Sequence, residues 1–366
     1  MSIVDDVRIR VFYPSALPDR TGPHAVGTAK LEVHTNGRDG PVIVVQLWYP
    51  VEEAHASLHA RGLNWLAKLL HPTWAPAHHR APLANSETAF PFIAYVPDAH
   101  GHHDDNTFTL ANLASHGFIL AAINDPYRHG RIDFASHAPP ASNGVASPVA
   151  AHYASLVARG IKTVSALLDG LQMLEPDGPG GLWAGRINLK QVGILGYAMG
   201  GTVAAETALA DPRFNAAANL AGGLGGKARL NVPYLLMLSD SSGAAPQATS
   251  LPAGKAPTKP EEYRYAQDQA ALPESHVIEV AGTKGEHFSD KLIFPSWLSR
   301  RCDQIPRCKR IRAIIDSYTV AFFTTYLRAD PHPLMCVRHS PYPEVHFVTG
   351  SDEHGAWALQ EPAGRA

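Results

Sequence analysis

The stretch VGILGYAMGGTVAAE, residues 192–206, decides how the rest of the chain is read. An apolar run enters a turn framed by Gly196 and Gly200, and an Ala-rich segment of helical character leaves it. That is the strand–turn–helix setting of the G-x-S-x-G nucleophile elbow, in which the middle residue sits in strained backbone. The flanking glycines let strand and helix pass close together without Cβ clashes. The middle position here is Ala198, not serine. The plainer reading of the same residues is a packing turn in an α/β sheet, where small residues are common.

Working outward, short apolar runs alternate with helical patterns. The segments AKLEVHT (29–35) and VIVVQLW (42–48), separated by Asn36-Gly37 and Asp39-Gly40, predict an antiparallel hairpin at a sheet edge. FIAYV (92–96) and FILAAI (118–123) predict buried strands, with a helix over 107–116 between them. A longer helix is expected over 150–174. Strands are expected after the elbow helix at 216–220 and 232–238, then a helix at 261–271 and HVIEV (276–280) as the last strand of the sheet. A helix is expected over 311–327. Apolar strands alternating with helices imply a mainly parallel central sheet covered by helices on both faces. The division expected is a single α/β domain over 1–329, interrupted at 51–90, and an irregular tail over 330–366. Within 51–90, Leu63, Trp65, Leu66, Leu69 and Leu70 recur at roughly helical spacing. They read either as a helix packed on the body or as a lid over an apolar pocket.

Composition removes several classes of function. A formal charge of −2 and a pI near 6.9 leave no electrostatic footprint for nucleic acid or an anionic membrane. No stretch approaches a membrane span. No signal-peptide pattern opens the chain, so a cytoplasmic protein is expected, with a secreted mature form as the alternative. Three cysteines make no disulfide framework. Cys302 and Cys308 read as reduced surface thiols, or as closing a small loop in an oxidising compartment. Oligomeric state is left open.

Three segments carry a resemblance. The elbow, the run NLASHGFILAA (112–122) and the run GEHFSD (285–290) resemble the platelet-activating-factor acetylhydrolase and dienelactone-hydrolase-like branch of the α/β-hydrolases, over roughly residues 24–328. The resemblance implies an α/β-hydrolase fold and ester hydrolysis by a Ser–His–Asp triad, without organic cofactor or metal. It makes Ala198 the nucleophile position. His287, in a Gly-flanked loop after the last strand, becomes the general base, in the order nucleophile, acid, histidine. Asp240, at the end of YLLMLSD, is one place for the acid. The acetylhydrolases place it one strand earlier, where this chain has Ala221. A turn aspartate is the plainer reading of Asp240. The oxyanion hole is expected from the backbone N–H groups of Met199 and, by the family's His-Gly-x pattern, His102. His100, Tyr197, Trp65 and Tyr127 are expected to line the pocket. A rival reading takes the run His100 to Asp105 as a zinc-ligand cluster of the H-x-H-x-D-H type, with His100, His102 and Asp104 as ligands, but Asp105 stands where that pattern ends in histidine.

Ala198 itself has no nucleophilic or acid–base chemistry. Either the chain is an inactivated form of a serine esterase, or alanine is its own residue. In the second case the protein binds a ligand or catalyses a non-hydrolytic reaction such as cyclisation or elimination. Intact glycines around position 198 favour the first, and Ala221 favours the second. The substrate expected is an uncharged, moderately hydrophobic small-molecule ester or lactone.

Overall fold

A computed structural model of the chain describes residues 20–35, 40–52, 77–86, 88–99, 105–124, 126, 148–177, 180–222, 229–240, 261–290, 305–337, 339–348 and 359–360. Its strands are β1 (Ala25–His34), β2 (Val42–Val51), β3 (His78–His79), β4 (Phe90–Val96), β5 (Ile119–Ile123), β6 (Ile187–Tyr197), β7 (Ala216–Leu220), β8 (Tyr234–Ser239), β9 (Ser275–Val280), β10 (Val345–Val348) and β11 (Leu359–Gln360). Its α-helices are α1 (Thr107–Ser115), α2 (Pro148–Gln172), α3 (Met199–Ala210), α4 (Glu261–Ala270), α5 (Ile305–Arg328) and α6 (Pro333–Cys336).

The strands form one sheet in the order β11-β10-β9-β8-β7-β6-β4-β5-β2-β1-β3. From β5 through β4, β6, β7 and β8 to β9 every pairing is parallel. β2 and β1 continue the sheet antiparallel on one side, and β10 and β11 on the other. The fold class is therefore α/β with a mainly parallel centre, as the alternation of apolar runs requires.

The strand period of two divides the interior into two cores. Phe92, Ala94 and Val96 of β4, with Val192 and Ile194 of β6, pack with Val164, Leu167 and Leu168 of α2 and Val203 and Ala204 of α3. Ile93 and Tyr95 of β4, with Leu195 and Tyr197 of β6, pack with Leu110 and Leu113 of α1 and Ile314, Tyr318 and Phe322 of α5. In α5 the buried positions Ile311, Ile314, Ile315, Tyr318 and Phe322 follow helical spacing. A strand buried on both faces reads as a continuous apolar run, which is why FIAYV and FILAAI gave no alternation.

Several expectations change. The N-terminal hairpin forms, but β1 begins at Ala25 and is not the outermost strand, because β3 pairs with it in parallel. The last strand of the sheet is not 276–280. The tail after 330, expected to be irregular, contributes α6, β10 and β11, and β10 pairs antiparallel with β9. Val345 and Phe347 of β10 are buried, so this short strand covers an edge that would otherwise expose apolar surface. Cys308 is buried on α5 rather than a surface thiol. The recurring leucines of 63–70, Cys302 and the loop at 100–104 lie outside the described residues.

Candidate functional site

Ala198 stands between β6 and α3 with φ 51° and ψ −121°, a conformation that an L-residue adopts only under constraint. Its neighbours supply the constraint. A Cβ on Gly196 would lie 1.9 Å from the Gly200 carbonyl oxygen, and one on Gly200 would lie 2.0 Å from that of Val96. Neither site admits a larger residue, so the end of β6, the first turn of α3 and the end of β4 meet at one point. Ala198 N–H donates to Leu220 O at 3.0 Å, and Gly201 N–H donates to Ala198 O at 2.9 Å. The residue is thus held at the carboxyl end of the parallel strands, where sheets of this kind bind ligands.

Ala221, the second alanine of the reading, follows β7 with φ 52°. Ala198 and Ala221 are both partly buried against the same apolar core. Asn219 organises the backbone beside them. Its Oδ1 accepts from Gly222 N–H at 2.7 Å, and its Nδ2 donates to the Tyr234 hydroxyl at 3.1 Å.

Met199, the expected oxyanion donor, is already engaged. Its N–H donates to Asp98 Oδ1 at 3.2 Å, and Asp98 is a half-buried residue just beyond β4. Asp240 follows β8 and its Oδ2 accepts from Gly282 N–H at 2.6 Å, at the start of the loop that carries His287. His287 lies on a single 3-10 turn, Gly285–Phe288. Its Nδ1 accepts from Lys284 N–H at 3.1 Å, so the ring nitrogen that a triad acid would orient is engaged within the histidine's own turn. Burial holds its pKa below the usual histidine value; Arg307 and Lys284 act in the same direction and Glu286 opposes them. Tyr197, expected as pocket lining, is buried. Its phenol is pushed up by burial, and by the charges of Asp98, Asp105 and Glu286, against a hydrogen bond with Ser289. That bond joins the elbow strand to the histidine turn. His100, His102, Trp65 and Tyr127 lie outside the described residues, as does Asp104 of the metal reading. Among the described residues no group of His, Cys, Asp and Glu is arranged to hold a metal ion.

Beneath the site runs a polar network that the sequence reading missed. Asp290, three residues after His287, is buried, and its Oδ2 accepts from both Thr107 N–H and Thr107 Oγ1 at 2.7 Å. It satisfies an N–H of the first turn of α1, which has no side-chain cap from Asn106 at its own N-cap position. Asp290 N–H donates to Asp105 O at 2.7 Å. Asn106 Nδ2 donates to Phe288 O at 2.7 Å, and Tyr95 Oη donates to Asn106 Oδ1 at 2.9 Å. Arg312 of α5 donates from Nη2 to Asp290 Oδ1 at 3.2 Å and from Nη1 to Thr109 Oγ1 at 2.6 Å. Thr109 Oγ1 in turn donates to Asp316 Oδ1 at 2.8 Å. Burial pushes the Asp290 carboxyl up to about 7, against Arg312 and Thr107, and raises Asp316 as well. The network ties the His287 turn to the start of α1 and to α5. One sequence signal pointed to it: Arg312 and Asp316, four residues apart, interrupt an apolar helical face.

No family profile matches the sequence, and no curated protein is similar to it. Solved structures are similar. A ferulic acid esterase from Streptomyces cinnamoneus superposes with a TM-score of 0.62 at 21% identity, over 90% of this chain and 98% of its own. The fold is that of the α/β-hydrolases. No helix among the described residues is long and apolar enough to cross a membrane.

Proposed function

We propose that this site is built on the carboxylic ester hydrolase plan and takes an uncharged, moderately hydrophobic small-molecule ester or lactone. Ala198 occupies the nucleophile position, His287 is the general base, and Asp240 is the acid of the histidine loop. Met199 N–H and the loop around His102 are the oxyanion donors. With alanine at 198, the chain holds its ligand without forming an acyl-enzyme. The observation that carries this reading is the backbone of Ala198, kept at φ 51° and ψ −121° between two glycines that admit no Cβ. That strain serves a residue whose side chain must project from the turn into the site. The LASHGF and HFSD segments support placement near the acetylhydrolase and dienelactone-hydrolase-like branch, and the esterase neighbour supports the reaction class. No organic cofactor or metal enters the reading.

The test is Ala198→Ser assayed on short p-nitrophenyl esters. Loss of a serine nucleophile in a hydrolase triad lowers turnover by about a million-fold. The serine form should therefore hydrolyse the esters at a rate orders of magnitude above the unaltered chain. A folded serine form that is silent across the panel overturns the reading.

A second reading has observations of its own. Asp98 occupies Met199 N–H, His287 Nδ1 faces Lys284 N–H, and Ala221 stands at the alternative acid position. These favour a serine-free protein that binds its ligand or catalyses a step that needs no nucleophile. Under that reading the unaltered chain binds ligand and Ala198→Ser gains nothing.

A further inference from the structure

We propose that Asp98 is a specificity-determining residue, which fills the Met199 end of the oxyanion hole and excludes anionic ligands from the site. The proposal rests on the ester-hydrolase reading of the elbow, because that reading makes Met199 N–H the donor a ligand oxygen would use.

The geometry is direct. Asp98 leaves the end of β4, and its Oδ1 accepts from Met199 N–H at 3.2 Å, at the first residue of α3. A carboxylate at a helix N-terminus is favourably placed, since the unpaired N–H groups there carry partial positive charge. The same N–H is the donor that, in an elbow of this type, meets a substrate carbonyl and its developing charge. In this chain the site therefore presents a carboxylate acceptor where an ester carbonyl would find a donor.

Two consequences follow. A neutral carbonyl oxygen reaches Met199 only by turning Asp98 aside. A ligand carboxylate, such as the acid left by ester cleavage, also meets the like charge of the half-buried Asp98 a few ångströms away. Among the described residues, the charges that act on the elbow strand are of the same sign as that of Asp98. Asp98, Asp105 and Glu286 all act on the buried phenol of Tyr197, the residue before Ala198, and all in the sense of negative charge. The cations Lys284 and Arg307 act on His287, and Arg307 Nη2 donates to Gly282 O at 2.7 Å. Exclusion of anions suits an esterase in one respect: an acidic product is expelled rather than retained on the donor that stabilised its formation.

The experiment uses benzoate and methyl benzoate as a charged and a neutral probe of nearly the same shape. Binding to the unaltered chain and to Asp98→Asn is followed by NMR, read at the amide of Met199. Methyl benzoate should bind the unaltered chain at least about tenfold more tightly than benzoate, and Asp98→Asn should bring that ratio close to one. A separate comparison needs no ligand: in Asp98→Ala the Met199 amide proton should move upfield, because its charged acceptor is gone. Equal binding of the two probes by the unaltered chain, or a Met199 amide that does not move in Asp98→Ala, overturns the proposal. Failure of both probes to bind every form counts instead against the ester reading, while the Met199 shift still decides whether Asp98 holds that donor.

Discussion

Replacing Arg312 by methionine removes a charge from the interior while keeping much of the side-chain volume, so it isolates the electrostatic part of the network under His287. The guanidinium is fully buried and lies 3.2 Å from Asp290 Oδ1, whose side chain is 3% exposed. At an effective dielectric of about 20 the gross attraction at that distance is about 5 kcal/mol. The change also removes the donor to Thr109, while Asp290 keeps its two bonds to Thr107 and can take up a proton. Breaking a buried pair from one side typically costs about 3–5 kcal/mol, and these compensations place Arg312→Met near the lower figure, about 3 kcal/mol. At roughly 2.1 cal/mol/K of unfolding entropy per residue, 366 residues carry about 0.8 kcal/mol/K, so the melting midpoint should fall by about 4 °C. Urea and thermal unfolding at about pH 8, above the Asp290 value of about 7 so that the carboxylate is charged, measure both quantities. The double variant with Asp290→Asn should cost at least about 1 kcal/mol less than the sum of the two single changes. Additive single changes, or an Arg312→Met form within about 1 kcal/mol of the unaltered chain, would refute the reasoning.

Three further outcomes are expected. Asp290 titrates near 7 in the fold, against an ordinary 3.8, because burial disfavours its charge. Its contribution is full below pH 4 and is lost as the pH rises through 7, so the unaltered chain should lose stability relative to Asp290→Asn between those values. An opposite slope in urea midpoints contradicts that sign. Ala198→Gly should stabilise the protein by about 1 kcal/mol, because glycine takes the φ of 51° without strain; a loss of stability means the turn is relaxed. Gly200→Ala places a Cβ 2.0 Å from Val96 O and should cost about 3 kcal/mol, so an unchanged denaturation midpoint shows that β4 and α3 can separate.

The elements of the site were legible where chemistry is local. The apolar run into Gly196, the small residues after it and the apolar runs at 92–96 and 118–123 record strand burial and a close crossing, and these depend on neighbouring residues. The boundaries differ by a few residues: β1 and α5 begin before the first patterned position, and β8 begins after it. β10 was not legible, because four residues in a Pro- and His-rich tail carry too short a pattern to separate from a loop.

The sequence by itself determined the α/β layering, the glycine-framed turn at 196–200 and the absence of a hydroxyl at position 198. Hydrophobic period and the glycine requirement of a tight crossing are properties of adjacent residues, so they can be read along the chain. Only the tertiary structure decided that Asp98 meets Met199 N–H, that His287 Nδ1 turns to Lys284 N–H, and that Asp290, Arg312, Thr107 and Asp316 form one buried network. Those partners are separated by up to 207 residues, as between Thr109 and Asp316. A carboxylate looks the same in sequence whether water or a distant N–H will satisfy it. Burial makes the difference, by removing the water and leaving the partner as its substitute.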